Sequence, residues 1–401
     1  MRSKDLKPKI AVLLMIMFLA LPLSTWAEVT MKLDVDLPLA AEAAVLMEAH
    51  NNQVLYDRNA ETRMHPASLT KIMTLLLVGE ALDQELIHWD DQVKVSLNAY
   101  RMNIGSRMFL EHEQLVSVED LVKGIAIISA NDACVAIAEY IHGSEQAFVQ
   151  NMNKRAAELG LKNTSFVNSH GLHDPGQYMS AMDVACLAAF FIRTQQKIAR
   201  FQAEKEWTFN NIRQFNRNPL LGKYEGVDGI KTGFLNEAGW CLAATAKRDD
   251  LRLISVVMKS PDAATRKTDS EVLLQHGFNR YESIKIAAAG ETMESIKVSR
   301  GKEKTVPVVP AEDIDVVIPR GQERFIKEKL TMEQKKVKAP LKKGDELGHL
   351  KVFYDQDLLL DKKLVAGKDI ERQGFFAHIG SSIKGFFVGI WQRIFGPGKK
   401  S

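Results

Sequence analysis

The chain has 401 residues, 46% of them hydrophobic and 26% charged, a balance that suits a folded protein of more than one domain and excludes a disordered or collagen-like one. Residues 1–27 carry four of the 53 basic and one of the 50 acidic side chains. The remainder has 49 of each, so charge gives no reason to expect a nucleic acid as partner.

The elements follow in chain order. Arg2, Lys4, Lys7 and Lys9 precede an apolar run at 10–23, and Thr25 and Ala27 put small residues at the −3 and −1 positions before Glu28. That pattern reads as a cleaved export signal, because about 14 apolar residues fall short of the ~20 needed to span a bilayer. From 28 to 288 helical and strand signals alternate, as in an α/β (α+β) domain: 68–80 and 118–140 read as helical, and 239–259 as a hairpin turning at 247–250. The texture changes after Gly290. Short apolar runs at 306–309, 314–318 and 350–353, separated by lysine- and glutamate-rich turns, predict a small all-β domain over 289–373. The basic stretch 335–343 reads as a solvated loop. Residues 374–401 then place Phe376, Ile379, Ile383, Phe386, Phe387, Ile390, Trp391 and Ile394 on one helical stripe, with Lys384, Arg393, Lys399 and Lys400 and no acid. Such a helix suits the membrane interface, apolar face down, as a peripheral anchor on anionic headgroups. Cys134, Cys186 and Cys241 are widely spaced and odd in number; they read as small buried residues, with one disulfide possible. No zinc-spaced His/Cys set or phosphate-cradling glycine loop is present, so no metal or cofactor is expected.

Three short motifs carry chemistry. Ser68-Leu69-Thr70-Lys71 opens a helical run after Pro66, and a spacing of three on a helix puts hydroxyl and amine on one face, where the amine can take the hydroxyl proton. The start of a helix also adds positive potential where an oxyanion forms. Ser129-Ala130-Asn131 falls 61 residues later, in a break between helical stretches, where a serine can relay a proton and an asparagine can hold an amide. Lys231-Thr232-Gly233 comes 163 residues after Ser68 and reads as the start of an edge strand. There glycine permits close approach, a peptide can add alongside by main-chain hydrogen bonds, and the lysine supplies charge for a carboxylate while helping to keep Lys71 neutral. Each motif alone is common; the three in this order are not.

With these motifs, and with Leu159-Gly160-Leu161-Lys162-Asn163-Thr164, His170-Gly171-Leu172, Asn216-Arg217-Asn218 and Val227-Asp228-Gly229-Ile230 around them, the chain resembles the low-molecular-mass penicillin-binding proteins, specifically the D-alanyl-D-alanine carboxypeptidases. The likeness runs over essentially all of the chain beyond residue 27. It implies a penicillin-binding, β-lactamase-like catalytic domain with a helical subdomain, followed by the β-rich domain and the anchor. It also implies a substrate, the peptidoglycan stem peptide ending in D-Ala-D-Ala, and acylation by β-lactams at the inner-membrane surface of a Gram-negative periplasm. By the same resemblance Ser68 is the nucleophile, Lys71 the general base, and Ser129 and Asn131 serve proton transfer and substrate placement. Lys231, Thr232 and Gly233 bind substrate, and the backbone N–H groups of Ser68 and Phe234 form the oxyanion hole. Arg266, on a loop after 256–259, lies near the terminal carboxylate, and Arg217 and His170 line the cleft.

Two departures stand out. Many relatives have glycine at Ala130, and close relatives often carry histidine at Phe234, so a side-chain role in deacylation is lost there while a backbone role survives. A class A β-lactamase would need a glutamate with an asparagine four residues on to direct water, and 166–183 contains no glutamate. A crosslink-cutting endopeptidase shares all three motifs, and a non-catalytic wall-binding scaffold is the remaining alternative.

Overall fold

The computed structural model describes residues 32, 33 and 35–373; the export segment and the amphipathic C-terminal stretch lie outside the described residues. Strand β1 (Ala43–Glu48) is buried at every position and pairs with β2 (Val54–Arg58). Its side chains alternate between two cores, as a period of two requires of a strand covered on both faces. Ala43, Val45 and Met47 face the main helical core, whereas Ala44 and Leu46 pack with Leu273, Leu274 and Phe278.

A 3-10 turn, Ala67–Thr70, then runs into helix α1 (Lys71–Asp83), whose first nine residues are all buried. A helix apolar nearly all round belongs in the centre of a domain, and α1 sits there. The pair β3 (Gln92–Lys94) and β4 (Leu115–Ser117) brackets the short α2 (Leu97–Arg101). The stretch 118–140, expected to be helical, is two helices, α3 (Val118–Ile128) and α4 (Asn131–His142), broken at Ser129-Ala130. Helices α5 (Glu145–Glu158), α6 (Ala181–Thr194) and α7 (Gln196–Ala199) complete the helical layer. Ser117, Ser144 and Ser180 cap α3, α5 and α6, each hydroxyl accepting a first-turn N–H.

The hairpin β5 (Glu206–Phe209)–β6 (Ile212–Phe215) leads to three long antiparallel strands, β7 (Val227–Leu235), β8 (Gly239–Arg248) and β9 (Leu251–Ser260). Together they form a five-stranded sheet in the order β2-β1-β9-β8-β7, with β7 at its edge. The predicted hairpin is β8–β9. Lys231-Thr232-Gly233 lies in the middle of β7 and not at its start. Helix α8 (Ala263–Arg280), capped by Asp262, covers the second face of the sheet.

The second domain begins at the end of α8. Strand β10 (Tyr281–Ala287) pairs with β13 (Ile314–Pro319), so the composition change at Gly290 falls inside this body, after its first strand. A six-stranded sheet follows in the order β14-β16-β17-β12-β11-β15, built from β11 (Glu294–Ser299), β12 (Thr305–Pro310), β14 (Ile326–Met332), β15 (Lys336–Lys338), β16 (Glu346–Tyr354) and β17 (Asp357–Ala366). The basic stretch expected to be a solvated loop thus contains a strand, β15, parallel to β11, because Val337 is buried between its two exposed lysines. Gln53 joins the domains. Its amide donates to Val317 O at 2.5 Å and accepts from Val317 N at 3.1 Å, in a buried position.

Candidate active site

Ser68 lies in the 3-10 turn and Lys71 is the first residue of α1, so one turn of chain carries both. Lys71 Nζ is 3.0 Å from Ser68 Oγ. It also donates to Asn131 Oδ1 at 2.7 Å and to the carbonyl of His170 at 2.5 Å. Two acceptors fix two N–H bonds, and in the neutral amine the lone pair is left for the Ser68 hydroxyl. Lys71 is fully buried, and this burial pulls its pKa from 10.5 down to about 8.

Ser129 closes α3 in the left-handed conformation, φ 64°, and Asn131 opens α4. This reversal turns both side chains into the same cleft. The segment before it is tied down from two sides: Asn131 Nδ2 donates to Ile104 O at 2.8 Å, and Asp132 accepts from the N–H groups of Met108 and Leu110. Gly105 and Ser106 consequently form part of the cleft wall.

His170 contributes its carbonyl to Lys71, and its ring is buried. Burial, and then the charge of Lys71, drive its pKa to about 3, so the imidazole is neutral. Nδ1 accepts from Leu172 N–H, which leaves the hydrogen on Nε2, facing Glu145 Oε1 at 3.6 Å. That contact is therefore a neutral one and not an ion pair. The Glu145 carboxylate also accepts from Ser169 N at 2.9 Å and Ser169 Oγ at 2.6 Å. Gly171 follows at φ 90°, and a Cβ there would fall 1.9 Å from the carbonyl oxygen of Ala67. Only glycine lets this loop lie against the turn that carries Ser68.

Edge strand β7 forms the opposite wall. A Cβ on Gly233 would sit 3.0 Å from Ala67 Cβ and 3.3 Å from Ser68 N, so its absence brings the strand against the Ser68 turn. Lys231 is buried, and its pKa is lowered well below the ordinary value, first by burial and then by Lys71, Arg217 and Arg266. Burial is the main cause for both amines, and the electrostatic influence runs from Lys71 onto Lys231, not in the expected direction. Asn218 holds β7 from outside, donating to Gly229 O at 2.8 Å, and Arg217 beside it lines the cleft.

Arg266 stands in the first turn of α8 and not on a loop, because Asp262 already caps the helix. It is buried, packs on the Trp240 ring at 5.2 Å, and has an Nε without a hydrogen-bond partner. Its Nη1 donates to Cys241 O at 3.4 Å, and the guanidinium keeps further donors that can pair with a carboxylate. No disulfide links the three cysteines; Cys134 and Cys241 are buried and Cys186 is half-buried.

The resulting cleft, about 450 Å³, is lined by every residue expected there except Lys71 and Lys231, which lie beneath it. A larger cavity of about 590 Å³ lies at the domain junction among Glu48, Arg193, Arg252 and Ser283, without a hydroxyl beside a buried amine. Among the described residues, ligand atoms close enough to share a metal ion occur at Glu333, Glu346 and His349, in the second domain and away from this cleft. Sequence reasoning missed Glu145 and Trp240 and gave Asn218, although quoted within a motif, no role. Glu145 acts through Ser169, 24 residues on, Asn218 through the carbonyl of Gly229, and Trp240 is placed only by the register Phe234↔Trp240 of β7 against β8.

A nucleophilic hydroxyl against a desolvated amine, facing an edge strand and a group of cations, defines an acyl-transferring serine enzyme that takes a peptide ending in a carboxylate. Residues 29–262 match the peptidase S11 family, D-alanyl-D-alanine carboxypeptidase, and residues 281–372 match the C-terminal domain of penicillin-binding protein 5. The chain belongs to this family. It is 38% identical over 370 residues to the D-alanyl-D-alanine carboxypeptidase DacF of Bacillus subtilis, covering 91% of this chain and 94% of that one. It is also 38% identical over 370 residues to DacC of Escherichia coli, covering 90% and 92%. Penicillin-binding protein 5 from Haemophilus influenzae superposes with a TM-score of 0.76 at 38% identity, over 84% of this chain and 99% of that one.

Proposed function

We infer that this protein is a serine-type D-Ala-D-Ala carboxypeptidase in which Ser68 carries the acyl group. The observation that supports it most is Lys71, held by Asn131 and His170 with its third direction on Ser68. As Ser68 Oγ bonds to the carbonyl carbon of the penultimate D-alanine, its proton passes to Lys71 Nζ. The backbone N–H groups of Ser68 and Phe234 stabilise the oxyanion. The C–N bond then breaks, Ser129 relaying a proton to the leaving D-alanine, and water hydrolyses the acyl-enzyme. Thr232, Arg266 and Arg217 hold the terminal carboxylate, Lys231 supports substrate binding from beneath the cleft, and Asn131 holds the substrate amide. β-Lactams acylate the same hydroxyl. The mature protein and Ser68→Ala should be compared on a peptide ending in D-Ala-D-Ala: free D-alanine released by the variant would refute the assignment.

The same reading puts the protein on the periplasmic face of the inner membrane, exported through residues 1–27 and held by residues 374–401. The support is the basic front with its small-residue cleavage site, and the one-signed charge of the apolar C-terminal stripe. Truncation after residue 373 should move it from the membrane to the soluble fraction; a truncated protein still on the membrane would refute the anchor.

A further inference from the structure

The edge strand sorts its side chains by face. Thr232 and Phe234 are two apart, so they share one face of the sheet, and Trp240 joins them there as the cross-strand partner of Phe234. This is the face that α8 covers, and Arg266 reaches it from the first turn of that helix. Phe234 and Trp240 have ring centroids 4.2 Å apart at 32°, and Trp240 in turn carries the Arg266 guanidinium. The three form one continuous stack at the end of the cleft: cation, indole, phenyl.

The outermost ring is the telling one. Phe234 is 47% exposed, although it lines the cleft, while Arg266 and Thr232 beside it are buried. A carboxylate bound at Arg266 and Thr232 lies beside this stack. The side chain of the residue bearing that carboxylate leaves from the neighbouring carbon, within reach of Trp240 and Phe234. A methyl group covers little of such a surface; a longer apolar chain would remove much more of it from water.

We propose that Phe234 and Trp240 form an apolar subsite for the terminal residue, and that this enzyme also releases terminal D-amino acids with side chains larger than methyl, such as D-leucine or D-methionine. The proposal rests on the carboxypeptidase reading of the site. The chemistry is unchanged: the peptide C–N bond is hydrolysed, and the free D-amino acid leaves with the proton supplied to its nitrogen. Selectivity arises from burial of the departing side chain. At about fourfold per fully buried methylene, three extra carbons on a half-open platform are worth on the order of tenfold in kcat/KM.

The test uses paired peptides identical up to the penultimate D-alanine and ending in D-alanine or D-leucine, with kcat/KM measured on each for the unmodified protein, Phe234→Ser and Trp240→Leu. The expected result is a D-leucine to D-alanine ratio on the order of ten in the unmodified protein, falling toward one in both variants. Because the readout is a ratio within one preparation, a partly unfolded variant does not distort it. Acylation by a fluorescent penicillin reports separately that Ser68 is reactive. A ratio below one in the unmodified protein would overturn the subsite. So would equal losses on both peptides, which would mean that the stack serves only to orient Arg266. If penicillin acylates Ser68 but neither peptide is cleaved, the carboxypeptidase reading itself fails and the subsite falls with it.

Discussion

Raising the pH from 7 to 9 should speed acylation of Ser68 about tenfold. Burial brings Lys71 down to about 8. Roughly a tenth of the molecules then hold the neutral amine at pH 7 and roughly nine tenths at pH 9. At the ordinary value of 10.5 the neutral fraction at pH 7 would be only about 0.03%. Since only an amine with a free lone pair can accept the serine proton, the limiting rate of acylation should follow that fraction. His170, down near 3, stays neutral throughout and contributes nothing to the profile. Lys231 is also lowered, by burial first, and acts on substrate binding, which appears in the concentration dependence and not in the limiting rate. The assay is rapid mixing with a chromogenic cephalosporin at saturating concentrations from pH 6 to pH 10. A limiting rate that is flat or falling between pH 6 and 9 would refute Lys71 as the base. The same shift acts on stability. Between 8 and 10.5 the unfolded lysine keeps its proton and the folded one does not, so a burial penalty of roughly 3 kcal/mol is relieved as pH rises through that window.

Glu145→Ala removes the acceptor that Ser169 N and Oγ share and frees the loop whose carbonyl aligns Lys71. It should lower kcat by one to two orders of magnitude with KM little changed, and Glu145→Gln, which keeps an acceptor oxygen, should restore most of the rate. An Ala variant with normal kcat would remove Glu145 from the positioning role. Gln53→Ala leaves Val317 N–H and C=O without their side-chain partner at the domain junction, and should cost about 1–3 kcal/mol in denaturant unfolding. Its D-alanine release should match the unmodified protein, since Gln53 lines no part of the cleft; an equal loss of activity would show that the second domain supports the site.

The sequence by itself determined the chemistry and the family. Motif order names Ser68, Lys71, Ser129 and Lys231, because each three- or four-residue motif is a short local pattern of few residue types and the three recur in a set order. It also determined the succession of a mixed domain and a β-rich one, since apolar periodicity is a local property. The tertiary structure decided where those residues meet. Lys71 is a usable base because α1 is buried on every side, and no local pattern reports how much water a side chain loses. The sequence places a break at Ser129-Ala130-Asn131 within an otherwise helical 118–140, but the left-handed conformation of Ser129 that turns both side chains into the cleft shows only in the structure. Arg266 moved from loop to helix because Asp262 caps α8. Strand β15 appeared within a basic run because one buried valine can hold a strand whose lysines face solvent. The pairing of Phe234 with Trp240 depends on the register of two strands, which is set when the whole sheet assembles. That pairing puts an aromatic face beside the carboxylate site, where the spacing of residues along the chain could not place it.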